Sequence, residues 1–251
     1  VQVQRAGLRF NPGPDFAAIY AQMGFHLTET QAIAGEQKPI FKVPCSTTWS
    51  EARLEPDGVA IEANILQDTA WPELTQRYVY GGMVAHDHKL NAGAIKAVVA
   101  GSTVVDFTTG TTPSADVADP STTTAVLGVL ELAVEDYLAR HRMSRTATLE
   151  LVAPLWLRGM IRSDLARRTG VMLESVTDAQ IDAHFAQRRV RPQYVYDWQD
   201  AFVTTGGTGL GGAVALKRWP ASVSFLLYAA GTWVRGSKGV ISLDAVYDSA
   251  N

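Results

Sequence analysis

Residues 146–199 read TATLELVAPLWLRGMIRSDLARRTGVMLESVTDAQIDAHFAQRRVRPQYVYDWQ. Ala147, Leu149 and Leu151 alternate with Thr146, Thr148 and Glu150, the period of a half-buried strand. Pro154 follows where a helix can begin without losing a needed N–H. Leu157, Met160, Ile161 and Leu165 recur at helical spacing, with Arg158, Arg162, Arg167 and Arg168 largely on other faces. Gly170 comes just after the last periodic residue, as a left-handed helix stop requires. Thr177-Asp178-Ala179-Gln180 has the pattern of a capping box. Ile181 and Phe185 supply the apolar face of the helix it opens. Tyr194, Tyr196 and Trp198 then alternate with Val195 and Asp197, a second predicted strand. Two helices against a sheet make a compact α+β unit.

Outward from this block, residues 123–142 predict an amphipathic helix with Val126, Leu127, Leu130, Val134, Tyr137 and Leu138 inward. Residues 71–100 predict one long helix of about 44 Å, with Pro72 and Glu73 in its first turn. Trp71, Leu74, Tyr78, Ala85, Ala92, Ile95 and Val99 keep one side of it. Gly81, Gly82 and Gly93 each cost about 1 kcal/mol relative to Ala there, and so mark a bend or a close contact. Between the helices, residues 102–122 are rich in Ser, Thr, Gly and Pro, a linker. Residues 47–66 predict a β-hairpin turning at Pro56-Asp57-Gly58, with Val59, Ile61, Ala63 and Ile65 on its apolar side. A long two-stranded arm is marginal alone and needs a surface to lie on. A short helix is expected around residues 16–23, and closing strands at 223–228, 232–235 and 240–247.

Composition narrows the function. The 251 residues are 47% hydrophobic and 19% charged, with net charge −3. That is a globular chain with a real core, and a poor dedicated nucleic-acid binder, because such affinity rests on phosphate neutralisation. Cys45 is alone, so no intrachain disulfide forms and a reducing compartment fits. No apolar run approaches the roughly 20 residues that span a bilayer. The opening VQVQRAGLRF is no signal peptide and lacks an initiator Met, so processing or a late ordered start is expected.

The chemistry-bearing motifs are weak. His86 and His88 are the most ligand-like pair, but i,i+2 spacing on a helix points them about 200° apart, whereas helical metal sites use i,i+4. Gly207–Gly212 matches GxGxxG, yet Lys217-Arg218-Trp219-Pro220 interrupts any helix after it, and no βαβ unit surrounds it. There is no Walker GK[ST] and no GxSxG. His141 and His184 have no nucleophile nearby in sequence. The basic runs at 140–145 and 188–191 sit among acids and read as ion pairs or solvated faces. Six tryptophans are large anchors, most of them expected in the core. Trp49, on the arm, is the best interface residue among them.

Taken together, the central block, RLEPDGVAIEANILQDTAWPEL (53–74), VAHDHKLNA (84–92) and AGTWVRGSKGVISLDAVYDS (230–249) resemble the major capsid proteins of tailed bacteriophages, most closely those of phages with actinobacterial hosts. The similarity is collinear over nearly the whole chain. It implies the Hong Kong ninety-seven type capsid fold: an N-terminal arm at 1–35, an extended loop at 36–66, a peripheral domain at 67–117 and 226–251 with the spine helix 71–100, and an axial domain at 118–225. It implies a non-enzymatic subunit with no cofactor and no catalytic or metal site. Copies would form the hexamers and pentamers of an icosahedral shell around double-stranded DNA held without sequence-specific contact. Portal, scaffolding or cement proteins are the further partners implied. The shell would assemble in the host bacterial cytoplasm and end as the virion capsid, with no membrane. Phe41, Trp49, Arg53, Leu54, Pro56, Arg158 and Arg188 are the expected inter-subunit contacts. Some family members crosslink a loop Lys to a neighbouring Asn, and Lys38 and Lys42 lie in the corresponding region. Two departures from the family stand out: members often carry a scaffolding segment, or receive it from a separate protein, and none is read ahead of Val1, and further sheet is expected where the sequence stops at Asn251. The alternatives are an encapsulin-like nanocompartment shell, a metal-dependent hydrolase using His86 and His88, and an adaptor or chaperone domain.

Overall fold

The computed structural model describes residues 7–11, 13, 16–43, 49–107, 122–170, 172, 175–203, 209–220 and 222–236, with backbone alone at 122–125, 168 and 169. The chain divides into two compact units, Val1–Pro56 with Val234–Asn251, and Asp57–Trp233. Helices and strands are mixed in an α+β chain.

The first unit contains β1 (Gly7–Phe10), α1 (Phe16–Gln22), α2 (Glu29–Ile33) and β2 (Ser50–Arg53). Phe16–Gln22 fulfils the expected short helix. Thr28 and Gln31 form a capping box at α2 that the sequence reading passed over. β1 and β2 pair antiparallel, Gly7 opposite Arg53 and Phe10 opposite Ser50. Arg9 meets Glu51 across this pair at 3.8 Å and lies 5.4 Å over the Trp49 ring.

This pairing overturns the expected hairpin over 47–66. β2 takes its partner from the start of the chain, and residues 54–64 form no ladder. The apolar alternation after the Pro-Asp-Gly turn does not become a strand. Val59 and Ile61 instead lie against the long helix, within 3.7 and 3.2 Å of where a Gly82 side chain would begin. Asn64 caps a short helix through Leu66 N–H at 2.9 Å. Local capping and contact with the helix outweigh a ribbon that has no face to rest on.

The second unit opens with α3 (Ile65–Ala70) and α4 (Pro72–Ala100), then α5 (Thr122–Arg140). α4 is the predicted long helix almost to the residue, with Pro72 at its start and Gly101 at its end. None of its residues is buried. The linker over 102–122 lies mostly outside the described residues.

β3 (Leu149–Pro154), α6 (Leu155–Thr169), α7 (Asp178–Gln187), β4 (Val190–Val195) and β5 (Leu226–Ala229) complete a lobe. Its sheet has the order β4-β3-β5, β4 parallel and β5 antiparallel to β3. The strand closing this sheet, Leu226–Ala229, lies in the stretch that the resemblance gives to the peripheral domain. Thr232–Arg235, expected as a strand, forms none, and 240–247 lies outside the described residues. With neighbours on both sides, β3 is buried along nearly its whole length, rather than alternating as a half-exposed strand would.

Two prolines sit in this sheet without breaking it. Leu149 N–H donates to the Arg189 carbonyl at 3.0 Å. Alternation along a parallel ladder then turns the odd-numbered residues of β3 toward β4 and the even-numbered ones toward β5. Pro154 faces the β5 side, beyond the last pair Val152–Leu226. Pro192 faces outward from an edge strand. Pro154 is therefore the extended last residue of β3 and the N-cap of α6, with φ −65° and ψ 144°, not the first helical residue expected. β4 likewise lies earlier than predicted. Val190–Val195 pairs with Leu149–Pro154, while Tyr196 and Trp198 lie beyond the strand.

The core joins α5, α6 and α7 to the sheet: Leu130, Leu149, Leu151, Ile161, Ile181 and Phe185 are all nearly fully buried. Each such side chain contributes about 1.5–3 kcal/mol. Gly170 ends α6 at φ 66°, the left-handed stop that glycine adopts without a Cβ clash. The Thr177–Gln180 capping box is formed in both directions. Of the six tryptophans only Trp156 is buried among the described residues, which corrects the expectation that most would be core. Its indole N–H donates to the Gln199 carbonyl at 3.3 Å.

Candidate interaction surface

From Ala32 through Leu74, every described residue except Ser50 is exposed. Ile40, Val43, Ile65, Leu66 and Trp71 are among them. The exposure continues along α4 in Tyr78, Tyr80, Met83 and Val84. A helix that buries nothing while presenting aromatic and aliphatic side chains lacks the one-sided cover that stabilises surface helices. Large apolar side chains left in water within each unit mark candidate contact surfaces. Half-covered residues do run along α4, at Thr75, Gly82, His86 and Leu90 and then Ala92, Ile95, Val98 and Val99, whereas Trp71, Leu74, Tyr78 and Ala85 of the expected face are exposed.

The expected contact residues fall into two groups. Phe41, Trp49, Arg53, Leu54 and Pro56 belong to the first unit and are all exposed. Arg53 reaches Glu51 at 3.4 Å. Leu54 and Leu8 both come within 4.0 Å of where a Gly236 side chain would start. Arg158 and Arg188 belong to the lobe and are engaged within the chain. Arg158 bonds Asp182 at 2.7 Å, lies 3.5 Å from Asp178, and stacks 5.2 Å over the Tyr194 ring. Arg188 joins Glu131 of α5 to α7, where it also donates to the His184 carbonyl at 3.0 Å. The basic run at 140–145 is partly spent in the same way, Arg140 pairing with Asp136. Lys38 lies 5.4 Å over the Phe25 ring and Lys42 is exposed.

His86 and His88 both lie within α4, so their side chains diverge. The half-covered one is His86, and His88 is exposed. His88 Nδ1 sits 2.7 Å from Asp197 Oδ1. Among the described residues, no three His, Cys, Asp or Glu side chains gather where a metal could sit. Gly209 and Gly211 take positive φ in turns, and no helix opens after them. The start of that glycine run, through Thr208, lies outside the described residues. No described helix is long and apolar enough to cross a membrane.

Burial first, then the Arg188 charge, holds His184 below the usual imidazole range, against an opposing pull from Glu131. What sequence reasoning missed is Tyr194 with Arg189 and Arg191. Their signal was the RRVRPQY run itself, read only as a charged face. They line a cleft with Arg158 and Asp182. No known protein family, curated protein or solved structure matches this chain.

Proposed function

We propose that this chain is the major capsid protein of a tailed bacteriophage, a subunit of the Hong Kong ninety-seven type that tiles an icosahedral shell around double-stranded DNA. The observation that carries this reading is the run from Ala32 to Leu74, exposed throughout but for Ser50 among its described residues, together with an α4 that buries nothing. Apolar side chains held in water on that scale gain free energy only when another surface covers them. Closed symmetry covers the same surface on every copy, and many weak contacts per subunit reinforce one another. The collinear resemblance supplies the family. The order of a long helix followed by a compact α+β lobe agrees with it. The chemistry of the shell is then contact and not catalysis.

Light scattering and sedimentation of the purified chain are the test. Megadalton particles are expected. Deleting residues 54–64 should abolish them while the circular dichroism of the lobe persists. A chain that stays monomeric at every concentration, or a deletion that still forms wild-type particles, sinks the reading. Nuclease-protected DNA inside the particles separates a phage shell from a compartment that holds protein cargo.

A further inference from the structure

Beside the outer edge of β4 lies a cleft of about 570 Å³, inside the size range of ligand sites. Its charged wall holds Arg158, Arg189 and Arg191 against Asp182. The hydrogen-bonding capacity left over is almost all of one kind. Arg158 spends its two Nη groups on Asp182 and Asp178, but its Nε–H is sealed from water with no acceptor. Arg189 gives one 3.4 Å bond to the Thr146 carbonyl. Arg191 is exposed, with no hydrogen-bond or ion-pair partner among the described residues. The Tyr194 hydroxyl is also sealed and without a partner. Burial, then the Asp182 charge, pushes it up to about 12 against the pull of Arg158, so at neutral pH it remains a donor. A buried donor without an acceptor costs about 1–3 kcal/mol. Those two donors are closed to any incoming group, but Arg189 and Arg191 are exposed beside them, and guanidinium groups with donors to spare suit an anion.

The form of the anion follows from the strand. β4 is an edge strand, and Pro192 occupies an outward-facing position where an added strand would need an N–H. Pairing of a partner's backbone is therefore blunted, and a side chain must carry the charge. The chain itself has acidic groups to give: it holds 25 Asp and Glu against 22 Lys and Arg. Glu135 on α5 is exposed with no partner among the described residues, while its neighbours Glu131 and Asp136 are taken by Arg188 and Arg140. A net-negative subunit meeting its own copies gains from a locally cationic seat.

We infer that this cleft seats a carboxylate side chain from a second copy of the chain, held by Arg191 and Arg189. The inference rests on the shell reading and names one contact within it. The test uses the full chain carrying Arg191→Lys, assembled as a mixture of ¹⁴N- and ¹⁵N-labelled subunits and treated with a carbodiimide, which joins an amine to a touching carboxylate with no spacer. Mass spectrometry should find position 191 joined to an Asp or Glu in mixed-isotope peptides, so between copies. Arg191→Glu should raise the concentration needed for particles by about tenfold or more, with unchanged circular dichroism. Particles in which position 191 couples only within its own chain, or not at all, overturn this inference alone. A wild-type chain that forms no particles removes the shell reading and this inference together.

Discussion

Thr177 caps α7 and Phe185 is buried within it, and the two do different work. Phe185 is 1% exposed at the meeting of α7 with the sheet. Phe185→Ala should cost about 3–5 kcal/mol, the lost transfer free energy plus an unfilled cavity. Thr177→Ala removes the cap hydrogen bond that the Thr177 hydroxyl accepts from the Gln180 N–H and should cost about 1 kcal/mol. Urea denaturation of the two variants checks the order, and equal losses would contradict it. His184 gives a pH signature. Its folded form resists protonation, so the unfolded chain takes up the proton first as pH falls below about 6.5. The contribution is present above that value and is lost below it. The urea midpoint should fall between pH 7.5 and 5.5, and His184→Gln should flatten part of that fall. Such residues were legible because cap, stop and apolar spacing are local chemistry. Tyr194 was not, because its burial and missing partner arise only when β4, α6 and α7 converge.

At the scale of elements, glycines in one helix separate by their surroundings. Gly93 in α4 has nothing within 4 Å of where a side chain would begin. Gly93→Ala should stabilise the subunit by about 1 kcal/mol through helix propensity. Gly101, at the end of α4, would put the same methyl 2.6 Å from the Trp233 ring, so Gly101→Ala should destabilise. Thermal melts of the two variants should move in opposite directions, and a shared direction would refute the distinction. α4 and α7 were readable from punctuation and period. The hairpin was misread for a definite reason: alternation identifies a stretch able to pair, but the partner of Ser50–Arg53 is Gly7–Phe10, far away in sequence. β4 was misplaced for a similar reason. Its register comes from β3, and aromatic alternation at 194–198 could not report that.

For the whole molecule, the contrast is between a lobe with a continuous core and long stretches with none. Limited proteolysis of the dispersed chain should cut first within 54–64, where every residue is exposed and no ladder forms. The block 149–195 should survive longest. Under the shell reading, assembly should protect the early sites, and equal cleavage in particles and in dispersed subunits would count against that reading.

The sequence by itself determined α4, α5, α6 and α7, the glycine stop of α6, the capping box of α7, the apolar faces of α5 and α7, and the order of a long helix before an α+β lobe. These follow from nearest-neighbour sterics and from side-chain period, which act within a few residues. Only the tertiary structure decided which strands pair, that β3 is central and buried, that five tryptophans stay out of the core, and that three arginines and an unpartnered tyrosine share a cleft. Those facts depend on groups far apart in the chain meeting in space, where burial and unmet hydrogen bonds are properties of the assembled surface and not of any segment.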